Sequence, residues 1–481
     1  MSRTVLVSNR VANLAAATQA GGVSVALAEV MTSGPALWFG WNGEVIEEDG
    51  STDIVDLPFE QSVVATTPLG PNEYRDFYLG YSNSVLWPVF HNRLDLAQFE
   101  AGYYSQYRRV NRRFAELLLP RLTTDDIIWI HDYQLIPLAL ELRALGAANA
   151  IGFYLHIPAP PAQAYLAIPE HVELAQAFAA FDLIGLQTEQ DVANLIEIFQ
   201  QSVRGELLSD GRIKVGDRQI KIASYPIGID VAGFQENLAN AEERPPRDVI
   251  QIIGIDRLDY TKGLPQKFRA YGQFLEDNPE HRNKVVLSQL ASPTRETLEA
   301  YADIRAELES LAGSINGRFG DFDWAPINYM HRTVDRCQLF DIYRSSRVGL
   351  VTPLRDGMNL VAKEYVAAQD PDDPGVLILS RFAGAAEELR DALIVNPYNI
   401  GEVADAIKQA VEMPLDERRR RHQALFSVVT ARTSSDWSRL FLSSLADIAG
   451  QTPRLHADPN GDKLQHMLQM LKKAQSSTVA A

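Results

Sequence analysis

The segment at residues 351–369, VTPLRDGMNLVAKEYVAAQ, places a carboxylate beside a helix start. It begins like the end of a buried strand and ends with apolar residues at the spacing of one helix face. Gly357 lets the backbone approach a ligand closely, and the free N–H groups of a helix start attract anions. Asp356 therefore adds an acid to an anion site. The alternative is an Asp-capped helix with no ligand.

A pair of cations follows another predicted strand in the stretch IDRLDYTKGLP. Arg257 and Lys262 stand five residues apart at the strand tip, which suits a diphosphate, because arginine can bind it through two parallel hydrogen bonds. The alternative is that each cation forms only a salt bridge, with Asp256 or Asp259.

The first predicted strand ends in SNR, and two glycines open the next helix. Arg10 supplies a cation, and Gly21 and Gly22 can expose amides to a phosphate or a sugar. A simple turn explains the glycines equally well. Neither GxGxxG nor a P-loop occurs in the sequence, so a dinucleotide fingerprint is not the basis of any function here.

Two histidines and an aspartate follow neighbouring predicted strands. WIHDYQ carries His131 and Asp132, and FYLHIPAP carries His156. A lone histidine is more often structural than catalytic, but this group at adjacent strand ends indicates a site.

A metal site is the alternative explanation of the acidic turn GRFGDFDWAP, which contains Asp321 and Asp323. The turn offers no clear third ligand, and Arg257 and Lys262 would make a metal redundant at a diphosphate. We therefore predict that no metal and no cofactor is required.

The elements that must position these residues alternate between short apolar strands and amphipathic helices. The alternation stops at the polar stretch NLANAEERPPRDV and then restarts. Apolar strands in such a pattern predict parallel sheets covered on both faces. The fold class is therefore α/β, with two doubly wound Rossmann-like domains facing a central cleft, and ligands beyond the strand carboxyl ends.

Composition limits the function classes. The 481 residues carry a formal net charge of −17, which argues against binding to nucleic acid or to an anionic membrane. The single cysteine, Cys337, allows no intramolecular disulfide and suits a reducing compartment. Neither a signal peptide nor a long apolar span is visible, so we expect a cytoplasmic protein.

Taken together, the motifs resemble those of the trehalose-6-phosphate synthases. The motifs occur in the family's order over about residues 3 to 448: SNR, AGG, WFGWNGE, SNSVLWPVFH, WIHDYQL, GFYLHIP, YPIGID, RLDYTKGLP, GRFG and VTPLRDGMNLVAKEYVAAQ. The resemblance implies a retaining glucosyltransferase of GT-B architecture that needs no metal. The family transfers glucose from a nucleotide donor, usually UDP-glucose, to glucose 6-phosphate.

The resemblance also implies a domain organisation. We expect an acceptor-binding domain at 1–236, a donor-binding domain at 237–433 and a C-terminal helix at 434–451 that packs back on the first domain. The tail at 452–481 lies beyond the resemblance, and its sequence predicts a flexible segment with one possible helix. A homo-oligomer, dimer or tetramer, is also expected.

The family's site residues can be placed on this sequence motif by motif. The implied acceptor-binding residues are Arg10, Tyr78, Trp87, Asp132 and Arg295. The implied donor-binding residues are Gly21, Gly22, Arg257, Lys262, Val334, Met358, Asn359, Leu360 and Glu364. The implied catalytic residues are Arg257, Lys262, His156 and Asp356. In this assignment the helix start faces the phosphates, Asp356 the hexose and Glu364 the ribose.

None of the motifs supplies an obvious carboxylate nucleophile for double displacement, so front-face attack is the favoured mechanism. Three alternatives stay open: a relative that glucosylates glycerol 3-phosphate, a pseudo-glycosyltransferase on the same fold, and a non-catalytic sugar-phosphate sensor. The sequence leaves open the donor base, the oligomeric state, the regulation and the role of the tail.

Overall fold

A computed structural model of the protein describes residues 3–11, 22–239 and 249–451. Gly21, most of the predicted linker and the tail at 452–481 lie outside the described residues. None of the helices within the described ranges is both long and apolar enough to cross a membrane.

The first domain is built on a sheet of ten described strands in the order β3-β4-β2-β1-β5-β6-β7-β10-β9-β8. Pairing is parallel from β4 to β10, and the outer strands at each side are antiparallel. The strands are β1 (Thr4–Arg10), β2 (Ala36–Val45), β3 (Val55–Phe59), β4 (Ser62–Leu69), β5 (Ile127–His131), β6 (Ala150–Tyr154), β7 (Leu183–Leu186), β8 (Glu206–Leu207), β9 (Ile213–Val215) and β10 (Arg218–Ser224).

Helices cover both faces of this sheet, as continuous apolar strands require. They are α1 (Gly22–Thr32), α2 (Trp87–Phe90), α3 (Tyr103–Leu118), α4 (Leu138–Ala144), α5 (Ala162–Tyr165), α6 (His171–Phe178) and α7 (Glu189–Val203), followed by α8 (Val231–Ala239). A π-helical segment, Glu73–Leu86, leads directly into α2, and a 3₁₀ turn, Tyr133–Leu135, follows β5. Extra residues of π-helical type often occur beside functional sites.

The second domain contains an all-parallel sheet in the order β13-β12-β11-β14-β15-β16. Its elements are β11 (Ile250–Arg257), α9 (Leu264–Asp277), β12 (Val285–Ser292), α10 (Glu299–Phe319), β13 (Ile327–Met330), α11 (Arg336–Arg344), β14 (Val348–Val351), α12 (Leu360–Ala368), β15 (Val376–Ser380), β16 (Leu393–Val395), α13 (Ile400–Glu412) and α14 (Leu415–Ala431). The 3₁₀ turn Tyr260–Lys262 links β11 to α9.

The strand orders explain where a ligand can enter. In the first sheet the connections run outward from β1 on one side and from β5 on the other, and in the second sheet from β11 and β14. At such a switch point the loops diverge and leave a crevice at the strand carboxyl ends. β1 ends at Arg10 and β11 at Arg257, so the two crevices carry predicted site residues.

Two helices cross between the domains. The boundary expected at 236/237 falls inside α8, which packs on α11 and α12 of the second domain, with the Phe234 and Phe340 ring centroids 4.4 Å apart. At the other end of the chain, α15 (Ser434–Gln451) packs on the first sheet. There Phe441 stacks on Trp129 at 4.6 Å between ring centroids. The burial of these aromatic rings fixes both crossings.

Candidate active site

A cavity of about 770 Å³ lies between the carboxyl ends of the two sheets. Its walls include these predicted site residues: Arg10, Tyr78, Trp87, Asp132, His156, Arg257, Lys262, Arg295, Val334, Asp356, Met358, Asn359, Leu360 and Glu364. Gly22 is the first residue of α1, whereas Gly21 lies outside the described residues. Sequence positions spread over most of the chain thus meet at one place.

Lys262 and Asp356 form the closest ion pair of the cavity, with 2.5 Å between Nζ and Oδ2. Asp356 follows β14 and also accepts a hydrogen bond from Nδ2 of Asn359 at 2.9 Å. Burial alone would raise the pKa of Asp356, but Lys262 and Asn359 outweigh it and lower that pKa. Asp356 is therefore an ionised hydrogen-bond acceptor inside the cavity.

Asn359 begins the helix that faces this carboxylate. Its backbone is left-handed, with φ 75°, and its side chain caps α12 by accepting from the Ala362 N–H. Asparagine tolerates both roles better than most residues. The start of α12 therefore lines the same cavity as Asp356 and Lys262.

The nearby aspartates do not form the salt bridges that the sequence left open for Arg257 and Lys262. Asp256 pairs with Lys267 at 2.8 Å, and Asp259 lies 3.4 Å from Arg295. Among the described residues Arg257 forms no ion pair, and its guanidinium carbon lies 5.2 Å from the Trp87 ring centroid. Arg257 thus keeps its charge available to a ligand.

Arg295 spans the cleft. It belongs to the second domain and has a left-handed backbone, with φ 47°. Its guanidinium carbon lies 4.0 Å from the Trp87 ring centroid, and Nη2 donates to the Tyr133 hydroxyl at 3.1 Å. Nη1 donates to the Tyr301 hydroxyl at 2.7 Å. One cation from the second domain therefore lies against two aromatic residues of the first.

Arg10 and Tyr78 line the same cavity as Arg295. Arg10 ends β1, with its guanidinium carbon 5.8 Å from the Trp41 ring centroid. Tyr78 projects from the π-helical segment, and its ring centroid lies 5.3 Å from that of Trp41. Trp41 thus supports both residues at one wall.

His131, His156 and Asp132 form the deepest wall of the first domain. His131 Nδ1 and His156 Nε2 lie 3.1 Å apart, and Asp132 Oδ1 accepts from the His156 N–H at 3.2 Å. Burial lowers the pKa of His156 to about 3 and raises that of Asp132 to about 6. Trp437 of α15 packs against His156, with 5.9 Å between the two ring centroids. Both imidazoles are therefore neutral at physiological pH.

At the other end of the cavity, Glu364 on α12 accepts a hydrogen bond from the Tyr343 hydroxyl at 3.2 Å. Val334 precedes α11, and Met358 and Leu360 flank the helix start. Phe340 lines the same end. This region combines apolar walls with one carboxylate, as a nucleoside would require.

Sequence reasoning missed several residues of the site. Tyr133 and Tyr301 contact Arg295, and Asp259 is fully buried beside them. Tyr133 directly follows Asp132, so its position next to a predicted site residue could have indicated it. Asp259 was considered only as a partner of Arg257 or Lys262, and no sequence signal pointed to Tyr301.

The acidic turn with Asp321 and Asp323 is exposed and does not line the cavity. Within the described ranges, one cluster has three groups placed to hold an ion: Glu280, His281 and Glu412. It lies on the surface between α9 and α13, apart from the cavity lining.

A sequence profile of glycosyltransferase family 20 matches residues 4–447. The chain belongs to this family. The predicted resemblance is thus confirmed. The trehalose-6-phosphate synthase of Sodalis glossinidius is 44% identical over 470 residues, which cover 94% of this chain and 98% of that protein. The Klebsiella pneumoniae trehalose-6-phosphate synthase is 43% identical over 459 residues, 93% of this chain and 96% of the relative.

Solved structures of family members confirm the fold. The α,α-trehalose-phosphate synthase (UDP-forming) from Burkholderia xenovorans, in complex with glucose 6-phosphate, superimposes with a TM-score of 0.89 at 43% identity. That match covers 92% of this chain and all of the other. An Escherichia coli protein bound with UDP-2-fluoro glucose gives a TM-score of 0.87 at 42% identity, over 92% of this chain and 99% of that one. The predicted GT-B arrangement of two Rossmann-like domains is correct.

Proposed function

We propose that the protein transfers glucose from UDP-glucose to glucose 6-phosphate, with retention, and so forms α,α-trehalose 6-phosphate. The observation that carries this proposal is the convergence of two sets of cations on one cavity. Arg257 and Lys262 come from the tip of β11, whereas Arg10 ends β1 and Arg295 follows β12; the two sets meet at Trp87, whose ring centroid lies 5.2 Å from the Arg257 guanidinium carbon and 4.0 Å from that of Arg295. A diphosphate and a separate phosphate require two such sets.

On the donor side, Arg257 and Lys262 would hold the diphosphate together with the amides of Met358, Asn359 and Leu360. The left-handed Asn359 places that helix start beside Asp356. Asp356, held ionised by Lys262, would accept hydrogen bonds from the glucose hydroxyls. Glu364 would accept those of the ribose.

His156 would lie against the transferred glucose. Because its imidazole is neutral, it can orient a hydroxyl without adding a charge near the reacting carbon. Gly22 would approach the donor from the start of α1, and Val334 would contact the base through its backbone; the donor contact of Gly21 remains a prediction from the sequence.

On the acceptor side, Arg10, Tyr78 and Arg295 would bind the phosphate of glucose 6-phosphate, and Trp87 would shape the pocket. Asp132 would accept a hydrogen bond from an acceptor hydroxyl. Since Arg295 reaches over from the second domain to Tyr133 of the first, acceptor binding would draw the domains together and exclude water.

The chemistry that fits these groups is front-face attack. The acceptor hydroxyl enters on the side from which UDP leaves, and the leaving phosphate oxygen takes its proton. Arg257 and Lys262 stabilise the negative charge that grows on that oxygen. A double displacement would need a free carboxylate at the anomeric carbon. Asp356 lies 2.5 Å from Lys262 and is therefore a poor nucleophile.

No cofactor enters this scheme. The cytoplasmic location, the homo-oligomer and the domain limits at 236, 433 and 451 remain predictions from the sequence.

A substrate panel with mass analysis of the products tests the proposal. UDP-glucose with glucose 6-phosphate should give a disaccharide phosphate, and glycerol 3-phosphate should give little product because glycerol lacks the sugar ring that Trp87 and Asp132 would contact. The same panel, run with UDP-, GDP- and ADP-glucose, identifies the preferred base. A larger yield with glycerol 3-phosphate would favour the glycerol-phosphate relative, and no product with any acceptor would favour a sensor.

A further inference from the structure

Asp259 is a completely buried carboxylate in the loop between β11 and α9, with 0% of its surface exposed. A buried carboxylate is costly unless its oxygens are satisfied. Both oxygens of Asp259 have partners, and those partners belong to different elements of the second domain. The residue therefore connects parts of the site that the sequence separates.

The first oxygen organises the donor-side cation. Oδ1 of Asp259 accepts from the Thr261 N–H at 3.0 Å, and the Asp259 carbonyl accepts from the Lys262 N–H at 3.0 Å. These bonds close the 3₁₀ turn Tyr260–Lys262, which carries Lys262 into the cavity. The orientation of Lys262 towards Asp356 thus depends on this cap.

The second oxygen organises the acceptor-side cation. Oδ2 of Asp259 lies 3.4 Å from Nη1 of Arg295 and accepts from the Tyr301 hydroxyl at 3.1 Å. Tyr301 in turn accepts from the same Nη1 at 2.7 Å. Asp259 and Tyr301 therefore hold Arg295 from two directions.

Arg295 needs such support for two physical reasons. Its backbone is left-handed, which costs free energy for a residue with a side chain. Its guanidinium also shares the Trp87 ring with that of Arg257, at 4.0 Å and 5.2 Å from the ring centroid. Two like charges at one ring repel each other unless an anion offsets them, and Asp259 is the buried anion next to them.

Burial alone would raise the pKa of Asp259, but Arg295 and Arg257 outweigh it and lower that pKa. The carboxylate thus stays charged beside the arginines.

We propose that Asp259 is a positioning residue: its charge holds Arg295 for the acceptor, while its other oxygen caps the turn that carries Lys262. It touches neither substrate in this arrangement and acts through Lys262 and Arg295. The inference rests on the proposed function, because it treats Arg295 as a contact of the acceptor phosphate.

The test is Asp259→Asn, with steady-state kinetics for both substrates and calorimetric titration of glucose 6-phosphate in the presence of UDP. Asparagine keeps an oxygen for the Thr261 N–H but loses the charge that faces Arg295. We expect the KM and Kd for glucose 6-phosphate to rise about 10-fold or more, as for a lost charge-assisted contact, and the donor KM to change less than about twofold.

Asp126→Asn is the matched control. Asp126 is also a buried aspartate, paired with Arg3 at 2.6 Å and bonded to the Thr123 N–H at 2.8 Å. It precedes β5, at the end of the sheet opposite the cavity. Its substitution should lower the Tm and leave both KM values unchanged. Equal increases in the donor and acceptor KM of Asp259→Asn would overturn the proposal, as would an unchanged acceptor Kd.

Tyr301→Phe covers the case in which Asp259→Asn does not fold. It removes only the hydroxyl that links Asp259 to Arg295, so the acceptor KM should rise about 2- to 10-fold, as for a neutral hydrogen bond. An unchanged acceptor KM in Tyr301→Phe contradicts the proposal. Wild-type protein without product formation contradicts the proposed function instead, so the two failures are distinguishable.

Discussion

The two halves of the cavity shift the pKa values of their aspartates in opposite directions. In the first domain, burial dominates: it raises the pKa of Asp132 to about 6 and lowers that of His156 to about 3. In the second domain, Asp259 is fully buried, yet nearby cations keep the pKa values of Asp259 and Asp356 below the usual range. A nearby opposite charge thus outweighs burial in setting the charge state.

This difference separates two tasks. The second-domain half holds fixed charges, which suit the proposed binding and departure of a diphosphate. In the first-domain half the His156 imidazole is neutral, so it can orient a sugar hydroxyl without competing for the growing charge, and Asp132 is ionised only above about pH 6.

The largest effect on turnover is expected from substitutions in the second-domain half of the cavity. Lys262→Ala removes a diphosphate cation and leaves Asp356 buried without its partner, so turnover should fall by about 10²–10³ or more. Arg257→Ala removes a cation that has no ion pair among the described residues, so its loss should be about 10²–10³ without a fall in Tm. Single-turnover kinetics and thermal melts measure both. Near-normal turnover in the two variants would refute the diphosphate assignment.

The next effect concerns Arg10 and Arg295, which line the cavity from different domains. Arg10→Ala and Arg295→Ala should each raise the acceptor KM by about 10- to 100-fold, because each loses a charge-assisted contact of about 1.5–3 kcal/mol. Donor binding measured alone should hardly change. If the phosphate needs both arginines at once, the double variant should lose less acceptor-binding free energy than the sum of the two single losses. An Arg295→Ala protein with a normal acceptor KM but weakened UDP-glucose binding would contradict the cross-cleft clamp.

A smaller effect should appear in the first-domain half of the cavity, as a pH dependence of acceptor binding. Asp132 has a raised pKa of about 6, so its carboxylate form is lost as the pH falls through that value. A phosphate monoester also gains a proton near pH 6. Below pH 6, the acceptor affinity of the wild type should therefore fall by up to about 100-fold per pH unit, because both groups gain a proton. In Asp132→Asn only the phosphate gains one, so the affinity should fall by about tenfold per pH unit.

Asp191 provides the control for that profile. Burial also raises the pKa of Asp191 to about 6, but this residue lies in the first turn of α7, where it accepts from the Thr188 hydroxyl at 2.7 Å and from the Ala159 N–H at 2.9 Å. Calorimetric titration of glucose 6-phosphate between pH 5 and 8 should show the wild-type slope in Asp191→Asn. A shallow slope in the wild type would remove Asp132 from the acceptor site.

The smallest effect should come from metal removal. Because protein cations face the diphosphate position, activity should persist in excess EDTA. A loss that Mg²⁺ or Mn²⁺ restores would assign the diphosphate to a metal and would return Asp321 and Asp323 to consideration as ligands.

The sequence predicted the location of the site well, because parallel strands bring their carboxyl ends to one edge. Arg257, Lys262 and Asp356 each follow such a strand, so their proximity depends on topology alone. The family motifs then supplied Tyr78, Trp87 and Arg295, which no strand pattern indicates.

The pairing of charges was not predictable in the same way. Asp256 and Asp259 stand three residues apart, and which cation each reaches depends on side-chain direction at the end of β11. Strands near the sheet margins carry unequal signals in the sequence. β4 (SVVATTPL) carries a β-branched signal that could have been used, whereas β13 (INYM) is too short for one.

Proton NMR during turnover of UDP-glucose with glucose 6-phosphate, in the presence of EDTA, tests the central claim most directly. The account predicts that the first disaccharide phosphate to appear has two anomeric protons, both with the small coupling of an α-linkage, and that UDP forms in equal amount. A β-linked first product would contradict retention, and release of free glucose in place of a disaccharide would contradict transfer to the acceptor.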